Sequence, residues 1–510
     1  MGARLLSLPL ILVLTGLFAL AMLLPALHAL VAEDHSVAQA FFYSSVLGLA
    51  GVGMVGLAIS GRRTRDNTDL QNLASLFLAY TVLPLYLALP FYEGLETTTL
   101  VNAYFEMVSS FTTTGATLFT TPGRLTDSLH LWRGIVGWMG GLVIWIAASA
   151  VLAPLNLGGF EVTASAEPGQ GRGRDNQRLD RFRRASSSKR LMQVGAQLIP
   201  VYVGLTAAVW LMLTVSGDRP LVAVMHAMGV MATSGISPVG GVEGTSSGFA
   251  GEAILFLFML FGLSRLTFSK DTVTSAQASL MNDPEFRIGL ALTLGVPLLL
   301  FSRHWLGAYE VDEMENISEA VLALWGGMFT VLSFLSTTGF ESASWEEARG
   351  WSGLGTPGLI LLGLALVGGG VATTAGGVKL LRVYALFLAG RREMERLVHP
   401  NSMSGAGLTS RRIRREGAFI AWIFFMMFAM SLALIVVILS ALGLGFENAT
   451  VLAISALSTT GPLTQVAASA PIDLSQLGTP AKMVLCASMV LGRLETLAII
   501  ALFNPGLWRD

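Results

Sequence analysis

The sequence predicts an all-α integral membrane protein with about ten transmembrane helices, and three observations support this class. Apolar residues make up 53% of the 510 residues, charged residues only 13%, and the mean hydropathy is +0.65. The apolar residues lie in runs of ~20 or more, which as helices cross the ~30 Å hydrocarbon core of a bilayer. Between these runs lie shorter apolar segments that end in hydroxyl-rich turns closed by glycine. This composition places the chain in a lipid bilayer.

Ten segments qualify as spans by their length and apolarity. They are residues 5–32, 39–60, 70–91, 130–154, 191–216, 250–268, 286–303, 355–389, 416–442 and 479–504. The first has an apolar part of ~25 residues, longer than the ~7–15 of a signal peptide, so we expect a retained helix. The single cysteine, Cys486, excludes an intrachain disulfide and a CxxC metal site.

The distribution of charge predicts the orientation of the chain. Connectors after alternate spans carry the arginine and lysine clusters, at 62–65, 172–190, 270 and 391–415. By the positive-inside rule these connectors are cytoplasmic, and so are both termini. The opposite connectors are acidic. Their carboxylates either form an ordinary solvated loop surface or raise the cation concentration modestly within a Debye length of ~8 Å.

Four units of the chain share one plan: a full span, a short apolar segment, a Thr/Ser-Gly turn and a second span. The glycines of the four turns lie 120, 104 and 122 residues apart. A repeat on this scale indicates quasi-equivalent pieces around one axis. The predicted units are an N-terminal two-helix extension at 1–66, pore repeat 1 at 67–160, a basic cytoplasmic loop at 161–190, and pore repeats 2, 3 and 4 at 191–280, 281–395 and 396–510.

The short apolar segments, at 101–112, 221–232, 319–336 and 448–459, are predicted to be re-entrant helices. At 1.5 Å per residue, a helix of ~12 residues covers only ~18 Å, so it reaches the membrane interior without crossing it. Irregular backbone at that depth is tolerated only where it is buried or lines a water-filled cavity.

The turns themselves are the candidate ion-binding residues. A helix that enters from outside directs its C-terminal carbonyls and partial negative charge at the membrane centre. Glycine permits positive φ or close backbone approach, and Thr and Ser hydroxyls add further oxygens. Hard oxygen ligands without a dense carboxylate cage favour a monovalent alkali ion over calcium or zinc. The candidate residues are Thr113, Thr114, Gly115, Thr233, Ser234, Gly235, Thr337, Thr338, Gly339, Thr459, Thr460 and Gly461.

Four motifs carry a resemblance to a known family. They are Ser110-Phe111-Thr112-Thr113-Thr114-Gly115-Ala116-Thr117, Gly137-Trp138-Met139-Gly140-Gly141 opening the next span, the run from Gly368 to Lys379, and Leu491-Gly492-Arg493-Leu494-Glu495. With them, nearly the whole chain resembles the Trk/Ktr/HKT superfamily of potassium transporters. The two extra helices at 5–60 are similar to those of its bacterial Trk branch.

This resemblance implies a function and a set of partners. It implies that the candidate turn residues form one potassium selectivity filter per protomer, in a homodimer with two separate pores. It implies potassium uptake across the cytoplasmic (inner) membrane of a bacterium, regulated by a cytoplasmic nucleotide-binding ring. Potassium is the transported ion, with sodium and rubidium as further candidates. Neither an organic cofactor nor a nucleic-acid partner is expected.

Details of the turns bear on selectivity. A serine in place of the first glycine would resemble sodium-favouring plant members of the superfamily, so Gly115 favours potassium. The second turn follows Ala232, and the fourth is followed directly by Pro462. We therefore expect the four sites to differ in geometry.

The span at 355–389 contains a glycine-rich stretch whose candidate gating residues are Gly368, Gly369, Gly370, Thr373, Thr374, Gly376 and Gly377. Glycine costs a helix interior ~1 kcal/mol per residue relative to alanine, so we expect a broken helix. Two interpretations are open. The stretch is either a site of tight packing between helices or a flexible loop across the pore, as the resemblance implies. Lys379 and Arg382 follow it as candidate anchors at its cytoplasmic end.

Arg493 lies near the middle of the last span. A charge there costs ~2.5–3.5 kcal/mol unless it faces protein or water. It either pairs with a carboxylate, Glu495 or Glu106, or lies at the pore wall below the filter, as the resemblance implies. In the second case its positive charge raises a barrier to cations.

No enzymatic activity is predicted. The sequence contains no recognisable nucleophile and base pair, P-loop or His/Cys metal site. An intramembrane enzyme is disfavoured because buried carboxylate or histidine pairs at helical spacing are missing. A carrier with alternating access is the alternative within transport. The common orientation of the four repeats favours a pore instead.

Overall fold

The computed structural model describes residues 9–60, 69–155, 157, 159, 187–264, 280–308, 317–352, 357–399, 415–496 and 498–499. Within these residues the regular structure is helical. The first part of the chain forms α1 (Leu10–Ala21), α2 (Leu23–Val31), α3 (His35–Ser60), α4 (Asp69–Thr81), α5 (Leu83–Gly94), α6 (Leu100–Phe111), α7 (Asp127–Ala147), α8 (Ser187–Val215), α9 (Pro220–Ala232) and α10 (Gly248–Met259). The remainder forms α11 (Pro284–Ala308), α12 (Ile317–Leu335), α13 (Trp345–Ser352), α14 (Gly358–Val367), α15 (Leu380–Val398), α16 (Arg415–Ala441), α17 (Phe446–Leu457), α18 (Leu463–Val466) and α19 (Thr479–Leu494).

The predicted all-α membrane class is confirmed. Seven stretches of helix in the described residues are long and apolar enough to cross a bilayer: Leu10–Val31, His35–Ile59, Leu70–Gly94, Asp127–Leu152, Lys189–Val215, Pro284–Ser302 and Gly417–Ala441. Five shorter apolar helices accompany them: Pro220–Ala232, Gly248–Gly262, Ala320–Leu335, Gly358–Val367 and Phe446–Leu457. Most of the predicted basic connectors, at 62–65, 172–186, 270 and 411–414, lie outside the described residues.

Three predicted spans differ from the observed helices. The span predicted at 250–268 is shorter within the described residues, where α10 ends at Met259 and a 3-10 turn continues to Gly262. The span predicted at 355–389 is interrupted, because residues 368–379 between α14 and α15 are not helical. In the last span, α19 ends at Leu494 because Glu495 has a positive φ of 64°, which cannot continue a right-handed helix.

The four predicted re-entrant segments form α6, α9, α12 and α17, here called the inner helices. Their observed bounds match the predicted ones within about two residues. Two start signals are visible: the Thr99 hydroxyl accepts a hydrogen bond from the amide of Asn102 (3.3 Å), and Pro220 begins α9. From its third residue onward, α9 is buried apart from Val224. The threonines and the serine of the four turns that follow these helices are also buried, so the turns lie in the interior of the molecule.

Helix α7 packs against the C-terminal ends of both α6 and α9, and its glycines allow this close approach. The Gly137–Gly141 motif lies in the middle of α7 rather than at its start, because α7 already begins at Asp127. A Cβ atom at Gly140 would lie 2.9 Å from the carbonyl carbon of Phe111, and one at Gly141 would lie 2.9 Å from Cα of Ala232. Only a helix without side chains at these positions can pack so closely against two other backbones.

We expect Gly140→Ala to destabilise the protein, because its methyl group would overlap the backbone at the end of α6. Overpacking of this kind costs ~1–3 kcal/mol. A matched control is Gly204→Ala in α8, where a Cβ meets no atom within 4 Å and where alanine favours the helix. Thermal unfolding of the purified protein in detergent measures both. Equal melting temperatures for the two variants would contradict the packing of α7 described above.

Candidate ion-binding turns and the glycine-rich loop

Each inner helix ends in the same way, with a threonine in the left-handed conformation. The φ angles are 56° at Thr113, 49° at Thr233, 59° at Thr337 and 53° at Thr459. The amide of the next residue then donates to a carbonyl five residues back: Thr114 to Ser109 (2.8 Å), Ser234 to Gly229 (2.8 Å), Thr338 to Ser333 (2.8 Å) and Thr460 to Ser455 (2.9 Å). This is the Schellman arrangement, which normally places glycine at the left-handed position.

The threonines carry a local strain that the sequence did not reveal. A β-branched residue at positive φ is an outlier that costs ~1–3 kcal/mol and persists only where the surroundings enforce it. The sequence assigned positive φ to the glycines, which is correct for Gly115 (72°), Gly235 (61°) and Gly339 (85°). Gly461 instead fulfils the other expected role of glycine, close backbone approach, since a Cβ there would overlap the backbone of Ala116.

The four turns contact one another in cyclic order. A side chain added at Gly115 would overlap the carbonyl oxygen of Ser234, and one at Gly235 would overlap the carbonyl oxygen of Thr338. A Cβ at Gly339 would lie 2.7 Å from Cγ of Pro462. The ring closes where the amide of Gly461 donates to the carbonyl of Thr114 (2.6 Å). The structure therefore brings together all twelve turn residues selected from the sequence.

Hydroxyl pairs support three of the turns. The side-chain oxygens of Thr112 and Thr114 are 2.8 Å apart, those of Ser336 and Thr338 are 2.9 Å apart, and those of Ser458 and Thr460 are 3.2 Å apart. The second turn has Ala232 in the first of these positions, so the pair is missing there, and the hydroxyl of Thr233 donates to the Ala232 carbonyl (2.8 Å). The turns thus differ locally within a common backbone plan.

The glycine-rich loop, residues 368–379, packs against the ends of three inner helices. The amide of Gly376 donates to the hydroxyl of Thr337 (2.8 Å), and the hydroxyl of Thr374 donates to the carbonyl of Met231 (3.2 Å). A side chain at Gly376 would overlap the carbonyl oxygen of Ser458. The loop therefore lies on the side of the ring to which the C-termini of the inner helices point.

Contacts at both ends hold this loop in place. At its start, the amide of Gly370 donates to the carbonyl of Gly262 (2.9 Å), and the amide of Val371 donates to Oε1 of Glu285 (2.8 Å). At its end, Lys379 donates through Nζ to the carbonyl of Ala375. Positive φ at Lys379 (87°) stores further strain where α15 begins.

Arg493 contacts the same loop. The residue is 5% exposed, and its Nη1 donates to the carbonyl of Thr374 (2.7 Å). Its electrostatic neighbours are the hydroxyls of Tyr80 and Tyr202, which carry no negative charge as phenols, and Lys379 of the same loop. The guanidinium therefore brings a positive charge to the loop.

The carboxylates considered as partners of Arg493 have other partners. Glu495 binds Arg382 through two hydrogen bonds (2.7 and 3.2 Å), and the Arg382 guanidinium carbon lies 3.6 Å from the ring centre of Phe424. Glu106 lies 3.4 Å from Nε of Arg133. The partners of each ion pair lie in different helices, and Arg382 and Glu495 are 113 residues apart, so the sequence did not reveal either pair.

The described residues contain no group of three or more His, Cys, Asp or Glu side chains that could hold a metal ion. The buried imidazole of His226 bonds instead to the hydroxyl of Ser237 (2.8 Å). Any cation that binds in the centre of the molecule therefore meets backbone carbonyls and hydroxyls.

Comparisons with known proteins agree with this arrangement. A family model described as TrkH, cation transport protein, matches residues 253–508, half of the chain. The Trk system potassium uptake protein TrkH of Salmonella typhimurium is 29% identical over 499 residues, which cover 97% of each chain. The protein TrkI of Halomonas elongata, from the same kind of system, is 27% identical over 508 residues, 98% of this chain and 96% of its own.

Among solved structures, the crystal structure of the potassium transporter TrkH from Vibrio parahaemolyticus matches with a TM-score of 0.79. It has 25% sequence identity, and the match covers 100% of both chains. The family match confirms the expectation of a transporter rather than an enzyme. This multi-pass membrane protein belongs to the TrkH family of cation transport proteins.

Proposed function

We propose that the chain carries potassium inward across the bacterial inner membrane through a pore on the axis of the four turns. The observation that carries this proposal is the closed ring of four turns with the same strained backbone. Strain that recurs at equivalent positions is typical of functional sites. The curated relatives named above as potassium uptake proteins support the choice of ion.

The chemistry of the ring suits selection by ligand exchange. Carbonyl oxygens replace the hydration shell of the ion, as in other potassium-selective filters. Each inner helix adds a partial negative charge of ~0.5 e at its C-terminal end. Between Thr113 and Gly115 the sign of φ alternates, since Thr114 is not among the positive-φ residues. This alternation lets successive carbonyls face the same side.

In this proposal the glycine-rich loop is the gate and Arg493 is the barrier charge. The loop forms hydrogen bonds to the ends of two inner helices and accepts one from Arg493. Displacement of the loop therefore opens the pore and also moves the positive charge of Arg493. The family resemblance supports a homodimer, with a cytoplasmic nucleotide-binding ring as the regulator of this loop.

The central experiment is growth at limiting potassium of a bacterial strain that lacks its own uptake systems. Expression of the chain together with its cognate regulatory partner should restore growth. Rubidium uptake into proteoliposomes, driven only by the rubidium gradient, then separates a pore from a coupled carrier. Uptake that requires a proton or sodium gradient would favour the carrier, and no growth with the partner present would contradict potassium uptake.

We expect Gly115→Ser to reduce discrimination of potassium over sodium, because its Cβ would displace the carbonyl oxygen of Ser234. The reversal potential under bi-ionic potassium and sodium measures this ratio. Gly123→Ser, in a neighbouring loop where a Cβ meets no atom within 4 Å, is the matched control and should leave the ratio unchanged. An unchanged ratio in Gly115→Ser would remove this glycine from the filter.

Deletion of residues 371–375 should raise basal flux and weaken control by the cytoplasmic partner, because the loop would no longer lie across the pore. Rubidium uptake per folded protein gives the basal flux. Thr374→Ala is a milder variant that keeps the backbone carbonyl bound by Arg493, so its basal flux should rise less. A folded deletion variant with unaltered uptake would instead support the packing interpretation of the glycines.

Arg493→Ala should raise flux several-fold with protein yield maintained, because it removes a positive charge from the ion path. At an effective dielectric constant of ~20, a charge several ångströms away contributes on the order of 1 kcal/mol to the barrier. Arg493→Lys keeps the charge and should keep the wild-type flux. Uptake normalised to purified dimer measures both. Lower yield of the alanine variant, without a gain in flux per molecule, would contradict the barrier role.

A further inference from the structure

Glu106 holds the segment that leaves the first turn. It lies in α6, nine residues before Gly115, and is 0% exposed. Its Oε1 accepts hydrogen bonds from the hydroxyl of Thr117 (2.5 Å) and the amide of Leu118 (2.9 Å). A buried carboxylate is costly unless it is paired, and its bonds to donors are about twice as strong as neutral ones. Glu106 is paired with Arg133 on its other oxygen.

The same register recurs in the second and third repeats with different chemistry. Nine residues before Gly235 stands His226, whose Nε2 lies 2.8 Å from the hydroxyl of Ser237. The residue after that serine is proline, which has no amide hydrogen to offer. In the third repeat this position is Thr330, whose hydroxyl accepts from the amide of Ser342 at 3.3 Å.

In the third repeat, where the hydrogen bond between Ser342 and Thr330 is long (3.3 Å), a second buried carboxylate binds the same segment. Glu252, on α10 of the preceding repeat, is 3% exposed. It accepts hydrogen bonds from the hydroxyl of Ser342 (2.8 Å), the amide of Ala343 (2.6 Å) and the indole of Trp325 (2.7 Å). The segments that follow the four turns are here called the exit segments. Those of the first and third repeats are thus each held by a buried carboxylate.

The fourth repeat supports its own turn. The position nine residues before Gly461 is Leu452, which offers no polar atom. There the hydroxyl of Thr464 donates to the carbonyl of Gly461 itself (2.9 Å). Each exit segment is therefore held by a side-chain hydrogen bond, but the groups that form this bond differ from repeat to repeat.

We propose that Glu106 and Glu252 are positioning residues that set ion selectivity by preventing the first and third turns from contracting around a smaller ion. The inference rests on the proposed filter. Each carboxylate binds the chain two to four residues beyond a filter glycine. If this bond is lost, the segment can move, and the carbonyls of the adjacent turn move with it. Neither carboxylate touches the ion.

Replacing the hydroxyl partners tests this without stranding a buried charge. Thr117→Val removes the donor to Glu106 and the acceptor of the Phe119 amide (3.1 Å), but it keeps the side-chain shape and the bond from Leu118 to Glu106. Thr117→Ser keeps the hydroxyl and serves as the conservative variant. Ser342→Ala makes the equivalent change in the third repeat, since it removes the donor to Glu252 and the acceptor of the Ser344 amide (3.1 Å). Ser469→Ala is the control, since Ser469 donates to the exposed Glu447 (2.6 Å) in the same type of bond on the fourth repeat.

The readout is the potassium to sodium permeability ratio from bi-ionic reversal potentials, with thermal unfolding measured on the same samples. Thr117→Val and Ser342→Ala should lower the ratio about fivefold, which is ~1 kcal/mol at 1.4 kcal/mol per factor of ten. Thr117→Ser and Ser469→Ala should match wild type.

Lower melting temperatures with an unchanged ratio would overturn the positioning role and leave a purely structural one. Wild-type protein that passes no potassium would overturn the proposed function, and the inference with it. A wild type that selects potassium, beside valine and alanine variants that select it equally well, would overturn the inference alone.

Discussion

Four threonines held in the left-handed conformation are the constraint on which the centre of this structure depends. At ~1–3 kcal/mol each, their combined strain is roughly 4–12 kcal/mol, so the surrounding structure must enforce the conformation. Several features do so. The turns contact one another through glycines that leave no room for a Cβ atom, hydroxyl pairs support three of them, and α7 packs against two of the helix ends. The conformation of the turns therefore rests on several contacts acting together.

Buried charges of opposite sign lie at the ring of turns and at the loop beside it. The inner helices bring partial negative charge to the ring, and Arg493 brings a positive charge to the loop beside it. Arg382 and Glu495, which are also buried, are paired with each other and so add no net charge between them. A cation on the axis of the ring would therefore meet attraction at the turns and repulsion at the loop.

Local patterns in the sequence predicted much of this arrangement. The positions of the turns, of the four inner helices and of the interruption at 368–379 were visible because glycine and apolar length act locally. The left-handed threonines were not, since local preference argues against them and only tertiary contacts enforce them. The pairing of Glu106 with Arg133 was also hidden, because it depends on how two helices pack. A polar residue nine positions before three of the four glycines was, however, visible in the sequence.

The most direct test of the account is the location of a heavy alkali ion in a crystal of the protein. Crystals grown in rubidium chloride should give an anomalous difference peak on the axis of the ring, within coordination distance of the carbonyls of the four turns. Crystals grown in sodium chloride provide the background map. Rubidium peaks only elsewhere, for example at the acidic connectors, with none inside the ring, would contradict the assignment of the turns as the selectivity filter.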